Sequence, residues 1–552
     1  MNKEFFLIAI GGTGMRCLES FIHLCSIGMF DRQTINVLAI DTDFNNGNLE
    51  RTRNLIENYV NLKKDANGEQ QALQDSFFSA IVNYFEFTPE YTGNRANFRE
   101  ISRSTGQPEA TKRQNQVIAN LLMDPATQNF NLSHGYRGQT HLGSHLMYHA
   151  IKSELYEVDH GFKRPAENSI VRFIDRLKSN GEGAKVFIMG SIFGGTGASS
   201  IPIIPRAFRD ALKVLDSSEE LNPLYGATLL TNYFGFTKPK GAQLREQHVI
   251  ADSGRFALNS QAALKFYNAD KTVRKYYCRL YHVGWPGLTY DYDKSELRQQ
   301  NKAPEGTTTT GGKHQRNPAH VIELMCATAA MHFFYDKKID IVTPLQQVYR
   351  SIDYEPSSES ITFEFVDFVA NADVHKFKRK LSAFAVFAIM IQNDFNGRTK
   401  GLLKNLERSY AEFLGKYGYD KLSDEAVEPL DALLSAFIFH YTNDNVFSNW
   451  LQQVQVSTRQ PGFLDFNNDI YAKSSSTLQR ANYSRLWQNS ENHFPSSGGF
   501  MKRLMGSKPF ESFITAFRSE SKLAPEGDIN KRVEFLANHI YRTIDALHNI
   551  KK

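Results

Sequence analysis

The chain contains 552 residues, of which 41% are hydrophobic and 22% charged, and its formal net charge is +5. These values are those of an ordinary globular protein with a sizeable core, which argues against an intrinsically disordered chain. A net charge this small, without a dense run of Lys and Arg, gives no support for nucleic-acid binding, so no nucleic-acid partner is expected.

The cysteines and the apolar segments bear on the cellular compartment. The four cysteines form no Cys-x-x-Cys pair and fit buried free thiols in a reducing environment. No apolar run reaches the roughly 20 residues that a membrane-spanning helix requires, and the first residues lack the pattern of a signal peptide. We therefore expect a cytoplasmic protein without a transmembrane segment.

The first 300 residues alternate between strand-like and helix-like segments. Nearly continuous apolar runs predict strands at residues 5–10, 35–41, 185–192, 224–230 and 279–285. Such runs are typical of strands that helices cover on both faces, and amphipathic segments lie between them. The pattern predicts an α/β fold with a mostly parallel sheet and helices on both faces. Residues 50–134 are polar and helix-like, which predicts an insertion outside the sheet.

The second half of the chain has a different pattern. Residues 301–316 have turn composition, and an apolar helix is predicted from 317 onwards, with Asn317 as its N-cap and Pro318 at its first position. Beyond about residue 375 the segments are helical, and 360–370 is the one strand candidate. The predicted domains are an α/β domain over 1–316, a central helix over 317–340 and a mostly helical domain over 341–552.

Two glycine-rich loops follow predicted buried strands, Gly11-Gly12-Thr13-Gly14 and Gly194-Gly195-Thr196-Gly197. A glycine-rich turn before a helix lets backbone N–H groups face a bound anion without obstruction by side chains. The first loop alone also fits a dinucleotide fingerprint, although Cys17 occupies the position of its third glycine. Asp41 ends the second strand, where an acidic residue would bind an NAD ribose. An NAD(P)-dependent Rossmann-type oxidoreductase is therefore one alternative.

The second loop favours a polyphosphate that two loops of one sheet bind from two sides. The spacing of the 16 histidines gives no direct metal-binding motif, and no Ser-His-Asp or Cys-His arrangement is evident.

The second loop, continued to Ala198 and Ser199, resembles the G-G-G-T-G-[ST]-G signature of the tubulin/FtsZ superfamily, with Phe193 in place of its first glycine. The segment AIDTD (39–43) resembles the VNTD that ends the second strand in FtsZ. The segment HGYRGQTHLGSHLM (134–147) resembles a loop that approaches the γ-phosphate. The resemblance covers about residues 1–340 and is closest to the divergent bacterial tubulin-like proteins.

The resemblance implies a tubulin/FtsZ GTPase-like fold that binds GTP or GDP, and it allows for Mg²⁺. It implies these phosphate-binding residues: Gly11, Gly12, Thr13, Gly14, Gly138, Gly194, Gly195, Thr196, Gly197 and Ala198. Asp41 and Asp43 would lie near the ribose or the metal, and Asn259 and Asn317 would contact the purine. Each of these four residues also has a purely structural interpretation, as a turn, cap or helix-surface residue.

The resemblance also implies assembly, because family members stack head to tail into filaments. The alternative is a monomeric nucleotide-sensing module whose helical C-terminal region binds an unknown protein partner. In the family, acidic residues after the central helix complete the catalytic site of the next subunit. Asp336 and Asp340 are the acids here, but they are spaced by four instead of three and enclose Lys337 and Lys338. Weak or no GTP hydrolysis is therefore expected, at most that of a slow GTPase.

Overall fold

The computed structural model describes residues 4–65, 67–103, 108–159, 169–215, 222–235, 253–284, 290–291, 315, 317–339, 345–351, 353–355, 360–362, 380–381, 384, 424–439, 446, 450, 535, 537–539 and 541–543.

A sheet of seven parallel strands forms the centre of the fold. The strands are β1 (Phe5–Ile10), β2 (Thr34–Ile40), β3 (Ile81–Phe87), β4 (Lys185–Met189), β5 (Leu224–Leu230), β6 (Tyr277–Gly284) and β7 (Gln346–Ser351). Their order across the sheet is β3-β2-β1-β4-β5-β6-β7. The predicted α/β class with a parallel sheet is confirmed.

The helices lie on both faces of this sheet. They are α1 (Gly11–Ser26), α2 (Gly47–Lys63), α3 (Phe98–Ser102), α4 (Glu109–Leu122), α5 (Pro125–Asn129), α6 (Thr140–Asp159), α7 (Ser169–Asn180), α8 (Gly195–Ser200), α9 (Ile204–Leu215), α10 (Phe256–Ala269), α11 (Lys271–Tyr276), α12 (Val321–Tyr335) and α13 (Asp424–Leu434). Shorter 3₁₀ turns occupy Gly93–Arg95, Leu132–His134 and Ser253–Arg255, and a π-helical turn occupies Ser435–Phe439.

The core is divided into two clusters by the sheet, because successive side chains of a strand point to opposite faces. Phe5, Leu7 and Ala9 of β1 belong to one cluster. Phe6, Ile8 and Ile10 belong to the other. Helices α1, α2 and α12 pack on the first face, and α6, α7 and α9 pack on the second. This double coverage explains why the strand sequences are apolar without alternation.

Several boundaries differ from the sequence-based expectations. The strands at 5–10 and 224–230 have the predicted bounds, and the other three are shifted or shortened by a few residues. The expectation that residues 50–134 lie outside the sheet is wrong at β3, which pairs with β2 along the edge. Strand β7 was not predicted. Residues Ser360–Thr362 do form a strand, which pairs antiparallel with Asp353–Glu355, and 363–370 lie outside the described residues.

The central helix begins three residues later than predicted. Its N-cap is His320 and not Asn317, and Val321 is its first residue. The imidazole of His320 accepts a hydrogen bond from the Ile322 amide at 3.2 Å, and the Glu323 carboxylate accepts one from the His320 amide at 2.9 Å. This reciprocal capping satisfies two of the helix's unpaired N–H groups and therefore fixes its start.

The described part of the C-terminal half packs onto the first core cluster. Phe384 contacts the ring of Phe77, and Phe437 and Trp450 surround His23 of α1. Within the described residues, no helix is both long enough and apolar enough to cross a membrane.

Candidate functional site

An open cleft lies where β1, β2 and β4 end, at the carboxyl edge of the sheet. In parallel sheets, ligands bind in the crevice beyond this edge. The cleft contains about 840 Å³ of empty space, including space open to solvent at its mouth. Its lining residues are Ile10, Gly11, Gly12, Thr13, Asp41, Asp43, Asn46, Gly135, Tyr136, Arg137, Gly138, Ser191, Phe193, Gly194, Gly195, Thr196, Gly197, Phe234, Phe256, Asn259 and Gln315.

The first glycine loop forms the start of α1. Gly11 has a φ of +69°, a backbone conformation that residues with a side chain rarely adopt. This conformation lets the chain turn directly from β1 into the helix. Among the residues that the structure describes, no side chain caps the N-terminus of α1, and the first turn of this helix contains no acidic residue. Its leading N–H groups and partial positive charge are therefore available to an anion in the cleft.

The second glycine loop contacts the first one directly. A Cβ on Gly11 would lie 3.3 Å from the Cβ of Thr196. The hydroxyl of Thr196 also shares a hydrogen bond with the hydroxyl of Thr42, at 3.1 Å, so the loops after β1, β2 and β4 meet at one point. A Cβ on Gly197 would lie 2.5 Å from the carbonyl oxygen of Ser191, so that position has room only for a glycine.

A third loop, residues 135–138, closes one wall of the cleft. It packs on Gly195, where a Cβ would lie 2.7 Å from the amide nitrogen of Gly138 and 2.9 Å from that of Arg137. Gly135, Arg137 and Gly138 have positive φ, and for Arg137 the value is +45°. A non-glycine residue in this conformation is strained, and such strain is concentrated at functional sites.

Among the cleft-lining residues that the structure describes, Arg137 is the one with a positively charged side chain. Desolvation lowers the pKa of its guanidinium, and the nearby carboxylate of Asp43 opposes that effect. The pair brings one cation near one anion in the wall of the cleft.

Asp41 and Asp43 form an acidic pair at the end of β2, and both side chains are buried. The carboxylate of Asp41 accepts hydrogen bonds from the Asp43 amide and from the side chain of Asn46, both at 3.2 Å. The same Asn46 amide group donates to Gln315 at 3.0 Å. Burial raises the pKa of Asp41 from 3.8 to about 7, and the charge of Asp43 adds to the increase.

Carboxylate oxygens are ligands that Mg²⁺ prefers. Within the described residues, no three His, Cys, Asp or Glu side chains converge as metal ligands. A divalent cation beside Asp41 and Asp43 would therefore take its remaining oxygen ligands from water or from a bound phosphate.

Aromatic rings form another part of the cleft wall. Phe193 lies 4.7 Å from Phe256 and 5.6 Å from Phe234, measured between ring centroids. Beside them, the side-chain nitrogen of Asn259 donates a hydrogen bond to the carbonyl oxygen of Phe193 at 3.1 Å. This bond fixes the orientation of the amide, so its oxygen is the atom that can accept from a ligand.

Three of the predicted contact residues do not line the cleft. A Cβ on Gly14 would lie 2.8 Å from the carbonyl oxygen of Met189, so this glycine allows α1 to pack closely on β4. Ala198 is buried, and its carbonyl accepts from the Tyr267 hydroxyl at 2.5 Å. Asn317 is buried as well, and two hydrogen bonds of 3.0 and 3.2 Å join it to the side chain of Asn48.

Asp336 lies at the opposite edge of the sheet from the cleft. Its carbonyl accepts from the ammonium group of Lys185, the first residue of β4, and its carboxylate lies 3.4 Å from Arg279. The 15-residue α12 that separates it from the cleft edge is about 22 Å long. Asp340 lies outside the described residues.

Sequence reasoning did not assign Asn46, Gln315 or the aromatic wall to the site. The Asn46 side chain caps α2 by accepting from the Asn48 amide at 2.9 Å, and an asparagine before a helix is the one signal that was readable. Phe234 and Phe256 were not singled out in the sequence, because nothing in their spacing distinguishes a residue of a cleft wall from a core residue.

No family model matches the sequence, and no curated protein matches it either. Among solved structures, the chain is similar to CetZ from Methanosaeta thermophila, with 11% identity and a TM-score of 0.22. The similarity covers 61% of this chain and 55% of that structure, so the chain spans little more than half of it. A TM-score this low does not establish a common fold.

Proposed function

We propose that the chain is a tubulin/FtsZ-like protein that binds a guanine nucleotide, GTP or GDP, in the cleft. The observation that supports this most strongly is the contact between the two glycine loops. They are about 180 residues apart in the sequence, yet Gly11 and Thr196 are adjacent on one side of a single cleft. Two sets of exposed N–H groups facing one space suit a polyphosphate better than a single phosphate group.

The charges of the cleft suggest how the phosphates are bound. Among the described lining residues, two acidic side chains outnumber a single guanidinium even though Asp41 is partly protonated at neutral pH, so a cation would help to balance an anionic ligand. Mg²⁺ commonly joins one or two carboxylates to substrate phosphates. We therefore infer that Asp43, with Asp41, holds Mg²⁺ against the phosphates. Arg137 and the N–H groups of the two glycine loops bind the other phosphate oxygens, as charge-assisted hydrogen bonds.

The preference for guanine rests on Asn259. Its side-chain nitrogen donates to the carbonyl oxygen of Phe193, which leaves its side-chain oxygen to accept from a base in the cleft. Guanine presents N–H donors on its Watson–Crick edge, whereas the ring nitrogen at the same position of adenine is an acceptor. The neighbouring aromatic rings offer an apolar surface to the base. Asn317 does not line the cleft, so its role is to hold the loop before α12 against α2.

An NAD(P)-dependent oxidoreductase is the second candidate, because β3-β2-β1-β4-β5-β6 is also the strand order of dinucleotide-binding folds. In such folds the acidic residue after the second strand binds the ribose hydroxyls. Here both oxygens of Asp41 accept hydrogen bonds from within its own loop. That arrangement weakens the NAD interpretation, and in the polyphosphate interpretation it leaves Asp43 as the main ligand of the Mg²⁺ ion.

We expect GTP and GDP with Mg²⁺ to raise the melting temperature of the protein. A ligand at 100 times its dissociation constant stabilises the folded state by about 2.7 kcal/mol. The measurement is a thermal-shift titration with GTP, GDP, ATP and NAD⁺ in parallel. Equal stabilisation by ATP would remove the guanine preference, and stabilisation by NAD⁺ alone would favour the oxidoreductase.

Assembly into head-to-tail filaments is the second element of the proposal, in addition to nucleotide binding. Asp336 lies at the far edge of the sheet and cannot reach the cleft of its own chain. It could contribute to hydrolysis only if a second copy stacked that edge over the cleft, as in the family that the loops resemble. Its carboxylate is, however, occupied by Arg279 and by the Lys338 amide at 2.9 Å.

We therefore expect GTP turnover well below the ~1 s⁻¹ that marks the low end of typical enzymes. The measurement is phosphate release at rising protein concentration, with light scattering on the same samples to detect assembly. Fast turnover that rises with concentration and is lost in Asp336→Ala would overturn this expectation. A monodisperse monomer with and without GTP would instead favour the nucleotide-sensing module.

A further inference from the structure

Helix α6 carries three histidines on one face, at positions 141, 145 and 149, and all three are exposed. Residues four apart lie one above the other on a helix. The opposite face of α6 packs on the sheet through buried residues such as Leu142 and Leu146. None of the three histidines lines the cleft, and the proposed nucleotide binding does not use them.

His145 and His149 are the closer pair. Their ring centroids are 4.5 Å apart, and the rings are inclined to each other by 66°. The ring of Phe98, in α3, packs edge-on against His145 at 5.9 Å and limits the positions it can take. Two imidazoles are thus held side by side at the protein surface, where an ion from solvent can reach them.

The chemistry of this pair is that of a partial metal site. Imidazole nitrogens bind Zn²⁺ at about 2.0–2.1 Å and also suit Cu²⁺ and Ni²⁺. Two histidines spaced by four on a helix can share one ion, as in the helical H-E-x-x-H motif.

We propose that His145 and His149 form a two-histidine site for a transition-metal ion such as Zn²⁺, Cu²⁺ or Ni²⁺. Within the described residues, no third His, Cys, Asp or Glu completes the coordination, so water or an outside ligand fills the other positions. Two nitrogen ligands favour these transition metals over Mg²⁺ and Ca²⁺, which bind mainly through oxygen ligands.

The position of the two histidines in the fold indicates which part of the protein a bound ion would stabilise. Helix α6 begins two residues after Gly138, the end of the third cleft loop. Residues beside the histidines anchor the helix: Ser144 donates to the Ser199 carbonyl at 2.7 Å, and Tyr148 donates to Asp210 at 2.8 Å. An ion that joins two successive turns of α6 stabilises the folded helix, and with it the wall of the cleft.

The test is metal binding to the full-length protein and to three variants, His145→Ala, His149→Ala and the neighbouring control His141→Ala. Circular dichroism first establishes that each variant is folded, which is expected because all three side chains are exposed. We expect Ni²⁺ to raise the melting temperature of the wild type and of His141→Ala. In either of the other variants, the affinity measured by calorimetry falls at least about tenfold.

Electron paramagnetic resonance of the Cu²⁺ complex gives an independent measurement. Two coordinating nitrogens are expected in the wild type and one in each of the His145 and His149 variants. Equal Ni²⁺ affinity in wild type and in the His145→Ala, His149→Ala double variant would overturn the proposal. So would a Cu²⁺ spectrum that none of the substitutions changes. Neither result depends on whether the cleft binds a nucleotide.

Discussion

Gly195→Ala should abolish nucleotide binding. A Cβ at this position would lie within 3.0 Å of backbone atoms of Tyr136, Arg137 and Gly138, and backbone cannot move aside as a side chain can. The third loop must therefore shift away from the second, which separates the N–H groups that we infer to bind the phosphates. Overpacking of this kind also costs about 1–3 kcal/mol of folding free energy. Calorimetric titration with GDP and Mg²⁺ measures the loss of binding, and chemical denaturation measures the loss of stability.

Two matched variants separate the two effects. Gly226→Ala in β5 also makes a contact of 2.7 Å, but with the ring of Phe333 in the core, so it should lower stability and leave the affinity unchanged. In Gly12→Ala the added Cβ meets only the ends of side chains, namely Nδ2 of Asn46 at 3.0 Å, Nδ2 of Asn48 at 3.4 Å and Oε1 of Gln315 at 3.6 Å. This variant should fold normally, since alanine favours a helix, and bind more weakly. Normal affinity in Gly195→Ala would show that the glycine loops do not hold the ligand.

Asp41→Asn should stabilise the nucleotide-free protein and weaken its Mg²⁺-dependent binding of GDP. The folded chain retains the proton of Asp41 up to about pH 7, whereas the unfolded chain releases it near pH 4. The unfolding free energy therefore falls as the pH rises between these values, by on the order of 4 kcal/mol in total. Asparagine removes this cost but loses the acceptor for Asn46, worth about 1 kcal/mol. The net gain at pH 8 is about 2–3 kcal/mol.

Urea denaturation of both proteins at pH 4, 6 and 8 measures this gain, which should shrink as the pH falls and give way near pH 4 to a small deficit from the lost hydrogen bond. The same substitution should weaken Mg²⁺-dependent GDP binding, because it removes a carboxylate that we infer to face the ion. A stability difference that does not vary with pH would mean that Asp41 is ionised throughout. Unchanged Mg²⁺ dependence would remove this residue from the proposed cation site.

The sequence was most informative where one local signal determined one structure. The apolar runs at 5–10 and 224–230 became β1 and β5 with the predicted bounds, because a strand buried on both faces has a continuous apolar sequence. Glycines between a strand and a helix identified two of the three cleft loops, since few residue types tolerate such close backbone contacts. Strand β3 escaped prediction because only part of it is buried, so its sequence, IVNYFEF, lacks a continuous apolar run.

Other features depend on contacts between distant segments, which a local pattern does not contain. Asn317 was predicted as an N-cap because Pro318 follows it, but His320 and Glu323 form a reciprocal cap three residues later. The partner of Asn317 is instead Asn48, 269 residues away. The packing of the third loop on Gly195 and the burial that raises the pKa of Asp41 likewise arise only in the folded chain.

The most direct test of the nucleotide site is an experimental structure of the protein with GDP and Mg²⁺. We expect phosphate oxygens within hydrogen-bond distance of the backbone amides of both glycine loops, including those of Gly12 and Gly195. We also expect the base to contact the side-chain oxygen of Asn259. Phosphates bound away from the part of the cleft that the two loops line, or at only one of the loops, would rule out the proposed binding mode.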